Sequence, residues 1–454
     1  MDDVFAYIET NRQRFLDELF ALIRQPSISA TGEGVEACAA MVLAAMSDAG
    51  MQTRRFESEG HPFLYGEAQG AVGAPTILVY GHYDVQPADP LDQWLSPPFE
   101  PTVRDGKIYG RGAGDNKGQF FAQIKGIEAV AKTLGGMPVT VKVLLEGEEE
   151  VGSPHIARFI AQNKELLAAD LVYCSDGHHN YGSRPEVLYG VRGLLYVEVT
   201  ATGPNRDLHS GNFGGMADSP IERLCRLIPL LKDTDNRVLV PGFYDDVKAL
   251  SAADAAALAD LPFDASAAAE NIGLEGLAGD PLASPLEKRL LQPTLNVNGF
   301  RGGYIGKGSK TIIPSQATMK MDFRLVDAQQ PEKIYAMFKA FLEAEGFGDL
   351  EVTHHGMMTP WRTPVDHPAA EPVMRAVEKG FGEPPYRVPS LGGSLPLAAF
   401  TQLGAPIFLV PYAQDDEHNH SPNESMGVEN YINGIRTMAA LIGGKGERAG
   451  GRDR

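Results

Sequence analysis

Cysteine is scarce. Cys38, Cys174 and Cys225 are the whole complement, and none stands at the spacing of a paired ligand. Neither a disulfide framework nor a thiolate zinc site is therefore supported. Basic charge is short as well: 40 Lys and Arg face 59 Asp and Glu, a formal net charge of −19. Binding to a phosphate backbone needs clustered cations, so nucleic acid is not an expected partner. Long apolar runs are also missing, none approaching the ~20 residues of a membrane span, and no membrane partner is expected. The opening residues, Met1 to Thr10, lack the basic stretch and apolar run of a secretory signal. A cytoplasmic location is the expectation. What is present is the balance of a folded globular protein, 43% hydrophobic and 22% charged. At 454 residues the chain is long for one core, and two domains are expected.

Apolar residues Phe15, Leu16, Leu19, Phe20, Leu22 and Ile23 recur at helical spacing and predict an amphipathic first helix. Four short apolar runs read as buried strands: Thr76 to Tyr80, Val139 to Leu145, Leu171 to Cys174, and Ile407 to Val410. A helical stretch, Gln119 to Leu134, lies between the first two. Strand, helix, strand of this kind predicts an α/β fold with a largely parallel sheet covered by helices. From about Tyr189 the pattern changes. Leu194 to Thr202 and Ala317 to Val326 alternate like strands with one solvated face, and the alanine-rich residues 250 to 270 read as helix with loops. Apolar strand and glycine-loop character returns after about Thr363. The expected organisation is a catalytic domain over 1–188 and 363–442, interrupted by an inserted domain over 189–362. A frayed tail is expected over 443–454.

Polar residues capable of holding metal follow each strand candidate closely. Thr76–Tyr80 runs into Gly81-His82-Tyr83-Asp84, and Val139–Leu145 into Glu146-Gly147-Glu148-Glu149-Glu150. Leu171–Cys174 runs into Ser175-Asp176, and Ile407–Val410 leads into His418-Asn419-His420. In an open α/β sheet the carboxyl ends of the strands form the ligand crevice, so these groups would converge there. Carboxylates with imidazoles and no thiolate suit Zn²⁺, Mn²⁺ or Co²⁺. A pair of cations needs a bridging carboxylate. Asp115, in the glycine-rich loop Gly110 to Gly118, offers one. Glu149 and Glu150 can divide the work, one ligating metal and the other taking a proton from the attacking water. Taken singly, the His-x-Asp is an ordinary hydrogen-bonded pair, the glutamate run a solvated helix face, and Asp176 a helix cap. The glycine-rich loop lacks the Gly-Lys-Ser/Thr ending of a P-loop. Taken together, those bland readings must each hold independently.

The wording of the motifs is more specific. Gly81-His82-Tyr83-Asp84-Val85-Gln86-Pro87, the Gly110–Gly118 loop and Glu149-Glu150-Val151-Gly152-Ser153 resemble the dinuclear metallopeptidase family of carnosinase, aminoacylase, carboxypeptidase G and succinyl-diaminopimelate desuccinylase. Asp207-Leu208-His209-Ser210-Gly211, Gly392-Gly393-Ser394-Leu395-Pro396 and His420-Ser421-Pro422-Asn423-Glu424 extend the likeness over nearly the whole chain. It is greatest to the carnosinase-like dipeptidase branch.

That resemblance implies a zinc-exopeptidase-like mixed sheet flanked by helices, with an inserted α+β lid that also dimerises. It implies His82 and Asp176 as ligands of one metal, Glu150 and His420 of the other, and Asp115 bridging. His418 competes with His420 for its place, as His178 and His179 compete with Asp176. Glu149 matches the general base, and Asp84 the carboxylate that fixes the tautomer of His82. His209 resembles a histidine that reaches the site from a partner subunit to stabilise the oxyanion. Thr311, Arg324 and Ser394 resemble groups that hold the substrate, Arg324 through its bidentate fork. Two divalent cations are expected, zinc first and manganese or cobalt as alternatives. The expected reaction is hydrolysis of a dipeptide or small peptide by a homodimer. Hydrolysis of an N-acyl or N-succinyl amino acid is the alternative. A metal-free binding protein on the same fold would have lost ligands, and every expected ligand type is present.

Overall fold

The computed structural model describes residues 1–280 and 282–444. Of the expected tail, Gly443 closes the last helix, Val428–Gly443, and the part from Lys445 lies outside the described residues. The N-terminal pattern yields two helices, Asp2–Thr10 and Arg12–Arg24, broken at Asn11.

The main sheet has eight strands. Across it the order is Gln52–Phe56, Phe63–Ala68, Thr140–Glu146, Thr76–His82, Leu171–Cys174, Ile407–Leu409, Glu186–Leu188 and Tyr386–Val388. The four central strands are parallel, while Phe63–Ala68 and Gln52–Phe56 run antiparallel at one edge. The sheet is thus mixed. Side chains of a strand point alternately to its two faces, and here both faces are dry. Ile77 and Val79 enter one apolar cluster, Leu78 and Tyr80 another. Tyr173 and Cys174, or Phe408 and Leu409, divide in the same way. This is why the runs read as continuous apolar segments. Helices Lys117–Thr133 and Val428–Gly443 cover the first face, and Ile156–Gln162 with the turn Pro396–Leu403 covers the second. Fully burying one such side chain contributes about 1.5–3 kcal/mol.

A second, antiparallel sheet is ordered Thr294–Gly302, Gln316–Leu325, Gly193–Thr202, Glu351–Met358. Its Met319, Met321, Phe323 and Leu325 pack with helices Pro220–Leu231 and Pro331–Ala344 in a cluster of its own. Asp322 and Arg324 alternate with that set on the opposite face. The chain enters and leaves this unit side by side, Gly190–Val191 pairing with Trp361–Arg362. One part of the inserted stretch packs elsewhere: Leu258, Leu261, Leu286 and Leu290 join the second cluster of the main sheet. No helix among the described residues is long and apolar enough to cross a membrane.

Candidate metal centre

The parallel strands end together, and the groups that follow them meet. His82, the last residue of its strand, is opposite Glu146 and fully buried. Its Nε2 lies 3.1 Å from Asp115 and 3.7 Å from Asp176, yet makes no hydrogen bond of acceptable geometry. On the far side of Asp115, His420 Nε2 stands 3.1 Å from Asp115 Oδ2 and 3.1 Å from Glu150 Oε2. Two groups capable of holding an ion result, His82–Asp115–Asp176 and Asp115–Glu150–His420, and they share Asp115.

Each candidate ligand is aimed by local structure. Asp84 is buried beside His82, its Oδ1 3.3 Å from Nδ1. Nδ1 also lies 3.2 Å from the Asp84 carbonyl oxygen, and the Asp84 carboxylate accepts the backbone N–H of Glu149 at 3.3 Å and of Glu150 at 3.1 Å, so this one residue orients the imidazole and caps the turn carrying both glutamates. His420 has φ of +55°, a left-handed conformation uncommon outside glycine. Asn423, also at positive φ, pins that turn by accepting from Leu95 N at 2.8 Å and donating to the Gln93 carbonyl at 3.0 Å. Gln119 ties three loops together. It donates to the carbonyls of Gly114 and Gly177, both at 2.8 Å, and accepts from Tyr412 N at 2.8 Å.

The charge balance fits cations. Burial would push His82 down, but Asp115 and Asp84 outweigh it and hold the imidazole well above its usual range. Asp115 and Glu150 raise His420 to about 11. Burial, with Asp115 beside it, raises Asp176 to about 7. Burial above all, then Asp176, Asp115 and Glu150, holds Glu149 well above the carboxylate range. The donor set suits metal: two imidazoles, three carboxylates, no thiolate, one carboxylate shared. The orphaned Nε2 of His82, buried among acids, is a group that a cation held here would satisfy.

Beside the centre opens a cavity of about 330 Å³ lined by Asp115, Glu149, Asp176, Ser394 and His420, with a wall of leucines. Arg324, on the second sheet, donates to Ser394 Oγ of this lining at 3.4 Å. His209 and Thr311 are not brought there. Leu208–His209 pairs with Ile312–Ile313, Ser210 N donates to the Thr311 carbonyl, and both residues are exposed and outside this cavity's lining. Of the competing histidines, His178 lines the cavity and lies 3.5 Å from Glu417. His179 is buried against the Pro411 carbonyl.

The comparisons with known proteins decide the family. Residues 78–443 match the family model described as peptidase family M20/M25/M40. The chain belongs to the M20 peptidases. The beta-Ala-His dipeptidase of Mus musculus is 30% identical over 392 residues, 84% of this chain and 79% of that one. The Cys-Gly metallodipeptidase dug1 of Schizosaccharomyces pombe is 29% identical, covering 97% and 98%. Among solved structures, the M20 family metallo-carboxypeptidase Sso-CP2 from Sulfolobus solfataricus superposes with a TM-score of 0.84 at 35% identity, covering 94% of this chain and 98% of that one. Human carnosine dipeptidase 1 gives 0.77 at 27%, covering 97% and 98%. The resemblance read from the motifs and the mixed α/β fold are both borne out, and this peptidase is a metal-dependent enzyme.

Two features of the M20 site escaped the sequence reading. Glu424, fully buried, accepts from Arg111 Nη1 at 2.7 Å and from the backbone N–H groups of Gly112, Gly114 and Asp115 at 3.1, 3.0 and 3.0 Å. It thereby moulds the loop that presents Asp115. Glu417, also fully buried, has neither carboxylate oxygen hydrogen-bonded, and a Cβ on Gly114 would collide with it. The glutamate closing the His420-to-Glu424 motif was the available signal for the first; nothing in the pattern marks the second.

Proposed function

We propose that this chain is a dinuclear dipeptidase working with two divalent cations, zinc first and manganese or cobalt as alternatives. The observation that carries the reading is the pair of ligand groups sharing Asp115. The dipeptidase names of its relatives support the substrate class. In this reading His82 and Asp176 hold one cation, Glu150 and His420 the other, and Asp115 bridges. When bound, the cations supply Lewis-acid polarisation of the scissile carbonyl and of the attacking water. Glu149, adjacent to Glu150 and lining the cavity, accepts the proton of that water and delivers it to the leaving amine. Asp84 holds the tautomer of His82. Arg324 and Ser394 receive the terminal carboxylate of the substrate.

The unit over 189–362 serves as lid and dimerisation domain. His209 and Thr311 stand together on one exposed ribbon, as residues presented to a partner's site would, and His209 there steadies the tetrahedral oxyanion. Exposed Val297 and Phe300 on the edge strand Thr294–Gly302 favour pairing between copies. The working location is the cytoplasm. The likeness to a metallo-carboxypeptidase favours a second reading, in which the leucine-walled cavity accepts longer peptides trimmed from the carboxyl end.

The test is hydrolysis by chelated enzyme with Zn²⁺, Mn²⁺ or Co²⁺ restored, using dipeptides, tripeptides, and N-acetyl and N-succinyl amino acids. Metal-dependent release from dipeptides supports the proposal. Cleavage of longer peptides alone favours carboxypeptidase action, acyl substrates alone overturn the substrate class, and silence removes the enzyme reading. Glu149→Gln should keep its metal and lose roughly 10²–10⁴-fold in turnover.

A further inference from the structure

The loop Leu391–Ser394 runs among three arginines. Arg324 donates to Ser394 and pairs with Asp322 at 3.1 Å. Arg192 donates to the carbonyls of Gly392 at 3.0 Å and Gln292 at 3.4 Å, with no acid among the described residues at ion-pairing distance. Arg289, near the end of helix Pro285–Leu290, is exposed. Its carbonyl and Cγ lie 3.8 and 4.0 Å from where a Cβ on Gly392 would stand. It too has no ion pair among the described residues.

The acids nearby are already engaged. Asp322 accepts from Asn298, Asn296 and Arg324. Glu186, within electrostatic reach of Arg289, is buried and held by the backbone N–H and side-chain amide of Asn180. Arg192 and Arg289 are therefore without an ion-pair partner among the described residues, on a protein that is acidic overall. Burial, then the neighbouring Arg324 and Arg289, pulls the Arg192 guanidinium down to about 10. An unpaired guanidinium beside the loop whose Leu391, Gly393 and Ser394 line the cavity attracts an anion, and its planar fork matches a carboxylate.

We infer that this arginine group selects substrates whose C-terminal residue is acidic, Arg324 with Ser394 receiving the main-chain carboxylate and Arg289, backed by Arg192, the side-chain carboxylate. The inference rests on the reading that Arg324 and Ser394 hold the carboxyl end of the substrate. A merely solvated surface arginine would show no preference for charge.

The decisive comparison is between isosteric substrates, Ala-Glu and Ala-Gln, hydrolysed by metal-loaded wild-type enzyme and by Arg289→Ala and Arg289→Glu. A charge-assisted contact predicts kcat/KM roughly tenfold higher for Ala-Glu in the wild type, declining as ionic strength rises. The ratio should fall toward one in Arg289→Ala and below one in Arg289→Glu. Binding of free glutamate against free glutamine, followed by calorimetry, supplies a readout that does not need turnover. If no dipeptide is cleaved but glutamate is preferred, and the preference disappears in Arg289→Ala, the peptidase reading falls and the acidic subsite stands. A ratio near one in wild type, or a preference that survives both substitutions, overturns the inference.

Discussion

Replacing Glu424 by Gln keeps the shape of a fully buried side chain and removes its charge. Four donors converge on that carboxylate: Arg111 and the N–H groups of Gly112, Gly114 and Asp115. Arg111 is 1% exposed and has no second acid at ion-pairing distance among the described residues, so the substitution leaves a buried guanidinium facing an amide. Breaking one side of a buried pair costs about 3–5 kcal/mol. Burial raises the Glu424 carboxyl, with Arg111 opposing the shift. Part of the attraction is thus already consumed in desolvation, and the loss should fall nearer about 3 than 5 kcal/mol. Arg111→Met should cost a similar amount. The double variant should lose less than the sum, by about 0.5–3 kcal/mol, because neither partner is then left alone.

The assay is urea unfolding read through Trp94, whose ring lies 5.4 Å from the Arg111 guanidinium. The chain has only two tryptophans, so Trp361→Phe supplies a background in which Trp94 reports alone. Because Glu424 anchors Asp115 N, metal affinity measured against a chelator should also fall, by roughly 10–100-fold. A Glu424→Gln variant within about 1 kcal/mol of wild type, the scale of an ordinary neutral hydrogen bond, with undiminished metal affinity would refute the reasoning.

Two further outcomes follow from the same geometry. Neighbouring carboxylates hold His82 above its usual range and raise His420 to about 11, and ligation needs both imidazoles neutral. Metal binding near pH 7.5 should therefore release about two protons, and affinity should rise roughly 100-fold per pH unit below those pKa values. Calorimetry in buffers of different ionisation enthalpy reads the count, and release of none would contradict the site's electrostatics. Asp254, which closes the capping box of helix Ala252–Asp260 and pairs with Arg362, ties the inserted stretch to the crossover strands. Asp254→Ala should cost about 2–4 kcal/mol, against about 1 for Ser251→Ala, which removes the cap alone. Equal losses, measured by thermal unfolding, would show that the ion pair contributes nothing.

What was legible in the sequence was what local pattern encodes. The central strands are dry on both faces, so their runs are short and continuously apolar, and the residues after them are polar because the sheet ends there. Gln52–Phe56 was illegible for the converse reason. It is an edge strand, largely exposed, with no periodicity to read, and missing it made the sheet look more parallel than it is. The cradle around Glu424 was invisible because three of its four donors are backbone N–H groups, which every residue but proline carries. Leu258, Leu286 and Leu290 announce an apolar face but not which core it meets, and that face packs under the main sheet.

The same distinction explains why the groups that could hold metal were legible in sequence when their supports were not. A ligand must be a particular residue type, and a pair of cations demands several of them, so chemistry restricts the sequence directly. Gathering Asp84, Asp115, Glu149, Glu150, Asp176 and Glu417 around two imidazoles is electrostatically costly. The expense appears as raised carboxyls at Glu149, Asp176 and Glu417, each pushed up first by burial and then by neighbouring acids. Supports have only to hold a shape, and many residues can do that. Specificity lies between these cases. Arg289 is an ordinary residue at an ordinary helix end, and only its place beside Gly392, across the loop from Arg324, gives its charge something to select.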